Sequence, residues 1–336
     1  MEMFMSDVQP YGGFIIDGAQ YAKWDRSVFQ EMRDGGVTCV NATIVYWETA
    51  RETLSEIGKW NRLFEQNSDL IMQARTADDV RLAKTLGKTA ITFAFQHCSP
   101  IEEDIDLVGI MYTLGVRFMQ LTYNNQSVCA TGCYEANDSG VTRFGRQVIR
   151  EMNRVGMVVD MSHSGEKSTF DAIEVSERPI TITHANPNSW HPALRNKSVE
   201  LMKALGDSGG FLGFSMYPFH LKNGPNCSIK EFCEMIAGAV ETMGIDNVGI
   251  GSDLVQGHGN EVVEWMRNGR WSKEIDFGEG SVANAGWPKP VPWFTGNRDF
   301  RNISNGLSIF GFSNQEVAQI MGLNWLKFFE SSFEPQ

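Results

Sequence analysis

Two histidines, His163 and His184, stand just past or at the ends of two short β-branched runs, 157–160 and 179–183, with a helix-length segment between them. A strand, a crossover helix and a second strand make a βαβ unit, whose strands run parallel and end on the same side of the sheet. Both imidazoles are therefore expected on one rim, where such side chains ligate divalent metals or move protons. Arg195 follows through a Pro-containing loop, so a guanidinium able to hold an anion can reach back over that rim. A lone histidine after a strand is usually a loop residue or a satisfied core group. Two at equivalent strand ends say more, because α/β barrels place their chemistry on that rim.

The elements that must position them form a regular series. Strand-like runs lie at 14–17, 37–45, 89–96, 116–123, 157–160, 179–183, 210–216 and 248–252. Helical spacing marks 25–34, 49–67, 76–85, 105–114, 142–155, 199–205 and 229–243, with a further helix between the two histidine runs. This order predicts an α/β chain folded as a single (β/α)8 TIM barrel over residues 1–336, with no linker dividing it. Closing helices are expected at 303–309 and at 314–330, the latter entered through Ser313 as its N-cap. Between the last strand and these helices, 257–298 reads as a long loop containing GWPKPVPWF (286–294), a semi-rigid lid over the rim. The alternative readings of that segment are a surface ornament or a subunit contact, the latter making the chain a homodimer.

Composition narrows the function classes. Of 336 residues, 42% are hydrophobic and 21% charged, as in an ordinary globular protein with a sizeable core. A net charge of −12 argues against nucleic-acid or anionic-membrane partners, which require basic patches. No apolar run reaches the ~18 residues of a membrane span, and the opening MEMFMSDVQP lacks the basic and apolar regions of a secretory signal. A cytoplasmic protein is expected. The six cysteines then read as free thiols, and the Cys129/Cys133 spacing, without a second Cys pair, as no zinc knuckle.

The strand ends bring to the rim Asp17, Ala19 and Tyr21, Gln96 and His97, Tyr123, His163, His184 and Asp253. Two imidazoles and a carboxylate are a sufficient set for zinc with an open position for water. Such a metal polarises a carbonyl and acidifies its water, which is hydrolytic chemistry. Asp253, if it does not ligate, can take the water's proton instead.

The stretches IIDG (15–18), LGVRFMQLTYNN (114–125), DSGVTRFGRQVIREMNRVGMVVDMSH (138–163), ITHANP (182–187), LRN (194–196), GIGSD (249–253), RNISNGL and GLNWLKFF together resemble the membrane (renal) dipeptidase family of amidohydrolase-like, metal-dependent barrels. The resemblance runs nearly end to end and implies a hydrolase acting on a small carboxylate-bearing substrate. Under it, His163 and His184 resemble ligands of the second metal of a two-metal site. Asp253 resembles the carboxylate that serves the first metal and the nucleophilic water, and Arg195 the group that holds the substrate's terminal carboxylate. Tyr123 takes the position where dipeptidases usually have a substrate- or oxyanion-binding histidine.

The departures matter as much. The family's HxD pair falls on Ala19 and Tyr21, and its bridging glutamate on Gln96. These neutral groups cannot build the first metal's ligand set. One divalent metal, expected to be zinc, then remains on His163 and His184 with help from Gln96, Asp253 or water; otherwise the site is metal-free. The leading expectation is a dipeptidase-like hydrolase of a small amide or amino-acid derivative, with Asp253 and Tyr123 catalytic and Arg195, Tyr123 and Tyr21 binding substrate. One alternative is altered chemistry on the same scaffold, a lyase, isomerase or metal-free hydrolase, with Tyr21 or Tyr123 as proton donor. The other is a non-catalytic protein that keeps the pocket for a carboxylated ligand.

Overall fold

Strands alternating with helices bury both sheet faces when the strands run parallel and the helices cover the outside. The computed structural model, which describes residues 12–270, 273 and 278–334, has this arrangement. Its strands are β1 (Ile16–Ala22), β2 (Cys39–Val45), β3 (Ile71–Gln73), β4 (Thr89–Phe95), β5 (Val116–Gln120), β6 (Val158–Asp160), β7 (Thr181–Ala185), β8 (Phe211–Phe214), β9 (Val248–Ile250) and β10 (Leu254–Gln256). The parallel wall runs β1-β2-β4-β5-β6-β7-β8-β9 and closes when β9 pairs back onto β1. β10 continues beyond β9 along the same neighbour, Gln20 to Ala22 of β1. The chain is a closed (β/α)8 barrel, as its alternating pattern implied.

The outer helices are α1 (Arg26–Asp34), α2 (Ala50–Gln66), α3 (Ala77–Leu86), α4 (Asp106–Thr113), α5 (Arg143–Val155), α6 (Glu166–Val175), α7 (Val199–Asp207) and α8 (Ile229–Met243). Then come α9 (Asn260–Asn268), α10 (Phe300–Phe310), α11 (Asn314–Ala318) and α12 (Asn324–Ser332). Thr49, Thr76, Ser228 and Ser313 each close a reciprocal capping box with an acidic residue three positions on. Among the described residues, no helix is long and apolar enough to cross a membrane.

Four details differ from the sequence expectation. β1 occupies 16–22 rather than 14–17, so Asp17-Gly18 is not a turn: Asp17 is buried and accepts bonds from Gln20 Nε2 (2.7 Å) and Ser252 N (2.6 Å). Ala19 and Tyr21 therefore lie within the strand, not beyond it. β3 is an additional strand of three residues, paired only to the start of β4 and too short to show a period. The 257–298 loop contains α9, an amphipathic helix that buries Val263, Met266, Arg267 and Asn268. The segment read as one helix over 314–330 is broken near Gly322, where a Cβ would meet the Phe14 carbonyl oxygen at 2.6 Å, so the chain must leave helical geometry to pack there.

Three apolar layers fix the barrel. The main core fills the space between strands and outer helices. At the end opposite the rim, Trp325, Phe328, Phe329 and Phe333 plug the barrel against Ile16, Phe118, Val158 and Phe211, and Trp325 Nε1 donates to Ile250 O at 2.8 Å. At the rim, Tyr46, Trp47, Tyr123 and Met266 form a separate aromatic cluster joined by Tyr21, Trp265 and Trp287.

Candidate active site

β6 ends in Asp160, which ties its own strand end to that of β7. Its carboxylate accepts from Ser162 N (3.0 Å), Ser162 Oγ (2.6 Å), Thr183 N (3.1 Å) and Thr183 Oγ1 (2.6 Å). Burial raises the Asp160 pKa, and these bonds hold the rise back. Strand β7 can approach β8 and β9 here because Gly213 and Gly251 face it: a Cβ on either would run into the Thr183 carbonyl oxygen.

From this frame the two imidazoles converge, with Nε2 of His163 and Nε2 of His184 3.0 Å apart. The opposite nitrogens are already engaged. His163 Nδ1 lies 2.6 Å from Asn124 Oδ1, an acceptor, so it donates. His184 Nδ1 lies 2.8 Å from Thr183 Oγ1, whose own hydrogen goes to Asp160, so it donates as well. Both Nε2 atoms are then left with lone pairs pointing toward one another. Burial, and after it the charge of Arg195, pushes both imidazole pKa values well below the ordinary histidine range, which disfavours a shared proton. A pair of neutral, oriented imidazole nitrogens, each fixed by an outer hydrogen bond, supplies two of the three protein ligands that a catalytic zinc takes.

The turn that carries His163 is clamped from behind. Arg195, almost fully buried, donates through NH1 to Ser162 O and through NH2 to His184 O (3.2 Å). Lys197 Nζ donates to Met161 O (3.3 Å) and Ser164 O (3.0 Å).

In front of the pair lies a cavity of about 50 Å³. Its wall includes Gln96, Tyr123, His163, Arg195 and Asp253 from the barrel, and Met266, Arg267, Glu279 and Trp287 from the 257–298 segment. Gln96 donates through Nε2 to Thr43 Oγ1 at 2.8 Å, which leaves its amide oxygen to serve the cavity. Asp253 sits between β9 and β10 at φ 56°, a strained conformation for a non-glycine residue. Burial raises its pKa, His220 and Arg195 oppose the rise, and the net shift is upward. Tyr123 stacks on His163 with ring centroids 4.1 Å apart, and burial drives its hydroxyl pKa far above the ordinary tyrosine value, so it stays protonated.

Two sequence expectations are corrected. Among the described residues, no three of His, Cys, Asp and Glu gather as a group that could hold a metal ion, so the His163, His184 and Asp253 set does not form. Asp253, at a positive φ, lines the same cavity as His163 but forms no three-residue metal group with the imidazole pair. Tyr21, expected to touch substrate, is not on the cavity wall; its ring stacks on His258 at 4.4 Å and meets Tyr46 edge-on at 4.9 Å. Ala19 is buried, and like Tyr21 it offers no metal ligand. Cys129 and Cys133 are free thiols and belong to no metal group among the described residues.

Sequence reasoning missed several participants. Asn124, Asp160 and Thr183 set the tautomers, and each adjoins a motif that had been singled out. His220, three residues beyond Tyr217 after β8, bonds Ser215 Oγ at 2.9 Å and pairs with Glu279 Oε2 at 3.3 Å. Burial raises the Glu279 pKa, but His220 and Arg195 outweigh it and the net shift is downward. Arg267 on α9 and Glu279 beyond it lie in the segment read as a loop.

Residues 19–269 match the family model described as Membrane dipeptidase (Peptidase family M19). The chain belongs to the membrane dipeptidase family. Dipeptidase tcpJ of Claviceps purpurea is 25% identical over 286 residues, covering 84% of this chain and 60% of the relative. An uncharacterized dipeptidase of Schizosaccharomyces pombe is 27% identical over 231 residues, covering 65% of this chain and 56% of the relative. The chain thus spans little more than half the length of these curated relatives. An amidohydrolase from Pseudomonas aeruginosa is 35% identical, with a TM-score of 0.91, covering 96% of this chain and 97% of that one.

Proposed function

We propose that this chain is a hydrolase that cuts a small carboxylate-bearing amide or amino-acid derivative, using one divalent cation, zinc by its donor set, on His163 and His184. The observation that carries this reading is the convergence of two Nε2 lone pairs at 3.0 Å, with both Nδ1 atoms committed elsewhere. Bound there, such an ion supplies Lewis acidity toward a carbonyl oxygen and acidifies water. Gln96 Oε1 is the neutral group best placed to assist it.

The remaining work falls to side chains. Asp253, on the cavity wall, accepts a proton from the attacking water and returns it to the leaving nitrogen. Tyr123, kept protonated, donates a hydrogen bond to the oxygen on which negative charge develops. Arg195 holds the loops of both histidines and directs positive charge at the ligand's carboxylate. The described parts of 257–298 that carry Met266, Arg267, Glu279 and Trp287 act as a lid, because a cavity of about 50 Å³ is far smaller than the ~300 Å³ and above of ordinary ligand pockets. Opening is needed for entry, and closure excludes water.

A second reading, metal-free acid-base chemistry on the same scaffold, draws on the neutral groups Ala19, Tyr21 and Gln96 at positions where the family resemblance implies an HxD pair and a glutamate. Elemental analysis combined with turnover of a panel of dipeptides and N-acyl amino acids separates the two. The proposal expects at most one equivalent of zinc, lost in His163→Ala and His184→Ala together with activity. Two equivalents, or undiminished turnover in both variants, would overturn it.

A further inference from the structure

A second, half-open groove adjoins the cavity in front of the imidazoles, and the two share Tyr217, Asp253, Val255 and Trp287 as walls. It is the larger space, about 250 Å³ against about 50 Å³. Met216, Leu254, Val255, Trp287, Pro290 and Phe294 give it an apolar lining. Among the described residues that line it, Asp253 is the only carboxylate and there is no lysine or arginine. His258 on the same wall is kept neutral, because burial holds its imidazole below the usual histidine range.

The outer wall is the GWPKPVPWF stretch, whose sequence makes it stiff. Pro288, Pro290 and Pro292 fix their own φ, and each restricts the residue before it to extended backbone. The stretch is also tied down along its length. Trp287 Nε1 donates to Gly259 O at 3.1 Å, and Trp293 Nε1 donates to Cys227 O at 2.8 Å. Phe294 is buried edge-on against Phe300, with ring centroids 5.1 Å apart, and Thr295 N donates to Asp299 Oδ2 at 2.8 Å. A wall fixed in advance loses little conformational entropy when a ligand packs on it. Three of its rings, Tyr217, Trp287 and Phe294, come from different parts of the chain and suit edge-to-face contact with another ring.

We propose that this groove is the subsite for an aromatic side chain on the ligand residue next to the cleaved bond, so that phenylalanine-like derivatives are selected over small or charged ones. Asp253 ties the two spaces together: the bond it acts on lies in the small cavity, and a bulky group beside that bond has room only in the groove. The inference rests on the reading of the chain as a hydrolase of a small carboxylate-bearing derivative, and names the side chain that derivative carries.

The test titrates N-acetylphenylalanine, N-acetylalanine and N-acetylglutamate, both enantiomers of each, calorimetrically into zinc-equilibrated protein. Wild type is expected to bind one enantiomer of the phenylalanine derivative at least ~10-fold more tightly than either alanine derivative, the gain from burying one aromatic side chain. The glutamate derivative should bind no more tightly than the alanine one, because its second carboxylate enters an apolar wall beside Asp253. Pro290→Trp adds an indole at an exposed position of the wall and should abolish the phenylalanine preference, with alanine binding and zinc content within a few-fold of wild type. Thr295→Phe fills the groove from another exposed position and should do the same, which covers a folding defect in the first variant. Pro290→Ala should keep most of the preference. If wild type binds all three probes alike, the groove does not take the side chain and the proposal fails, although the reading of a carboxylate-bearing ligand stands. If it binds none of them, that reading fails as well. An undiminished phenylalanine preference in folded Pro290→Trp and Thr295→Phe would place the side chain elsewhere and overturn the proposal.

Discussion

Replacing Thr183 with Val tests the tautomer argument without touching a ligand. Val matches Thr in shape and in β-branching, so strand β7 and its packing are retained. What disappears is one hydroxyl that accepts from His184 Nδ1 at 2.8 Å and donates to Asp160 Oδ2 at 2.6 Å. His184 then loses the partner that fixes its Nδ1–H tautomer, and can place its proton on Nε2, the atom that faces His163. Loss of such an outer hydrogen bond typically weakens metal affinity by about 10- to 100-fold, or ~1.4 to 2.7 kcal/mol. Asp160 keeps its three other donors, so the fold should lose only ~1 to 3 kcal/mol for the broken bonds in a buried site.

The assay is competition for zinc against a chromophoric chelator, alongside urea denaturation of the metal-free protein. Thr183→Ser, which restores the hydroxyl, should bind zinc within a few-fold of wild type while sharing part of the packing loss. Wild-type zinc affinity in Thr183→Val would show that the Thr183 hydroxyl does not set the proton position on His184. Equal weakening in Thr183→Ser would assign the effect to packing.

Asp17 is fully buried, and burial, opposed by bonds from Ser252 and Gln20, pushes its pKa up to about 6. The protonated form is thus favoured by folding: its stabilisation is fully present below ~3.8 and is lost as pH rises through about 6, a change of about 3 kcal/mol. Asp17→Asn should flatten that part of the stability profile in urea titrations between these values, and an unchanged profile would sink the assignment. Trp325→Ala removes a fully buried indole from the barrel plug and should cost ~3 to 5 kcal/mol by denaturant unfolding; less than ~1 kcal/mol would mean the plug is not part of the cooperative fold. Arg195→Ala should weaken both zinc and acid binding by at least ~10-fold, because it frees the Ser162 and His184 carbonyls; a change in acid binding alone would show that the clamp does not hold the histidine loops.

The barrel was legible because each wall strand is a β-branched or apolar run bounded by helical spacing, and parallel pairing then brings the strand ends to one rim. That logic located His163, His184, Arg195, Gln96, Tyr123 and Asp253 on or behind one cavity. It failed where side-chain identity does not show direction. Tyr21 lies on β1 but turns toward His258, and Asp253, at a positive φ, joins no three-residue metal group with the imidazole pair. It failed again where long-range packing decides structure: α9 was read as loop although Val262, Val263, Trp265 and Met266 recur at helical spacing, and Gly322 breaks the last helix to pass the Phe14 carbonyl. Arg267 and Glu279 were invisible for the same reason, since their place on the cavity depends on how the segment after β10 folds back.

Gln96 adds no charge to the cavity wall, so its balance is set by the ionisable groups around it. Its charged wall residues are Asp253 and Glu279 on one side of the balance and Arg195 and Arg267 on the other, so without a cation the wall is close to neutral. A divalent cation on the imidazole pair tips that balance to positive, and does so inside a small, desolvated space where charges act strongly. An anionic ligand is then favoured by the cation as well as by the guanidiniums. Linkage makes the effect reciprocal: whatever factor zinc adds to carboxylate affinity, the carboxylate must add to zinc affinity. Under the proposed function, a metal held by the two imidazoles would in this way be retained most firmly when the anionic ligand is in place.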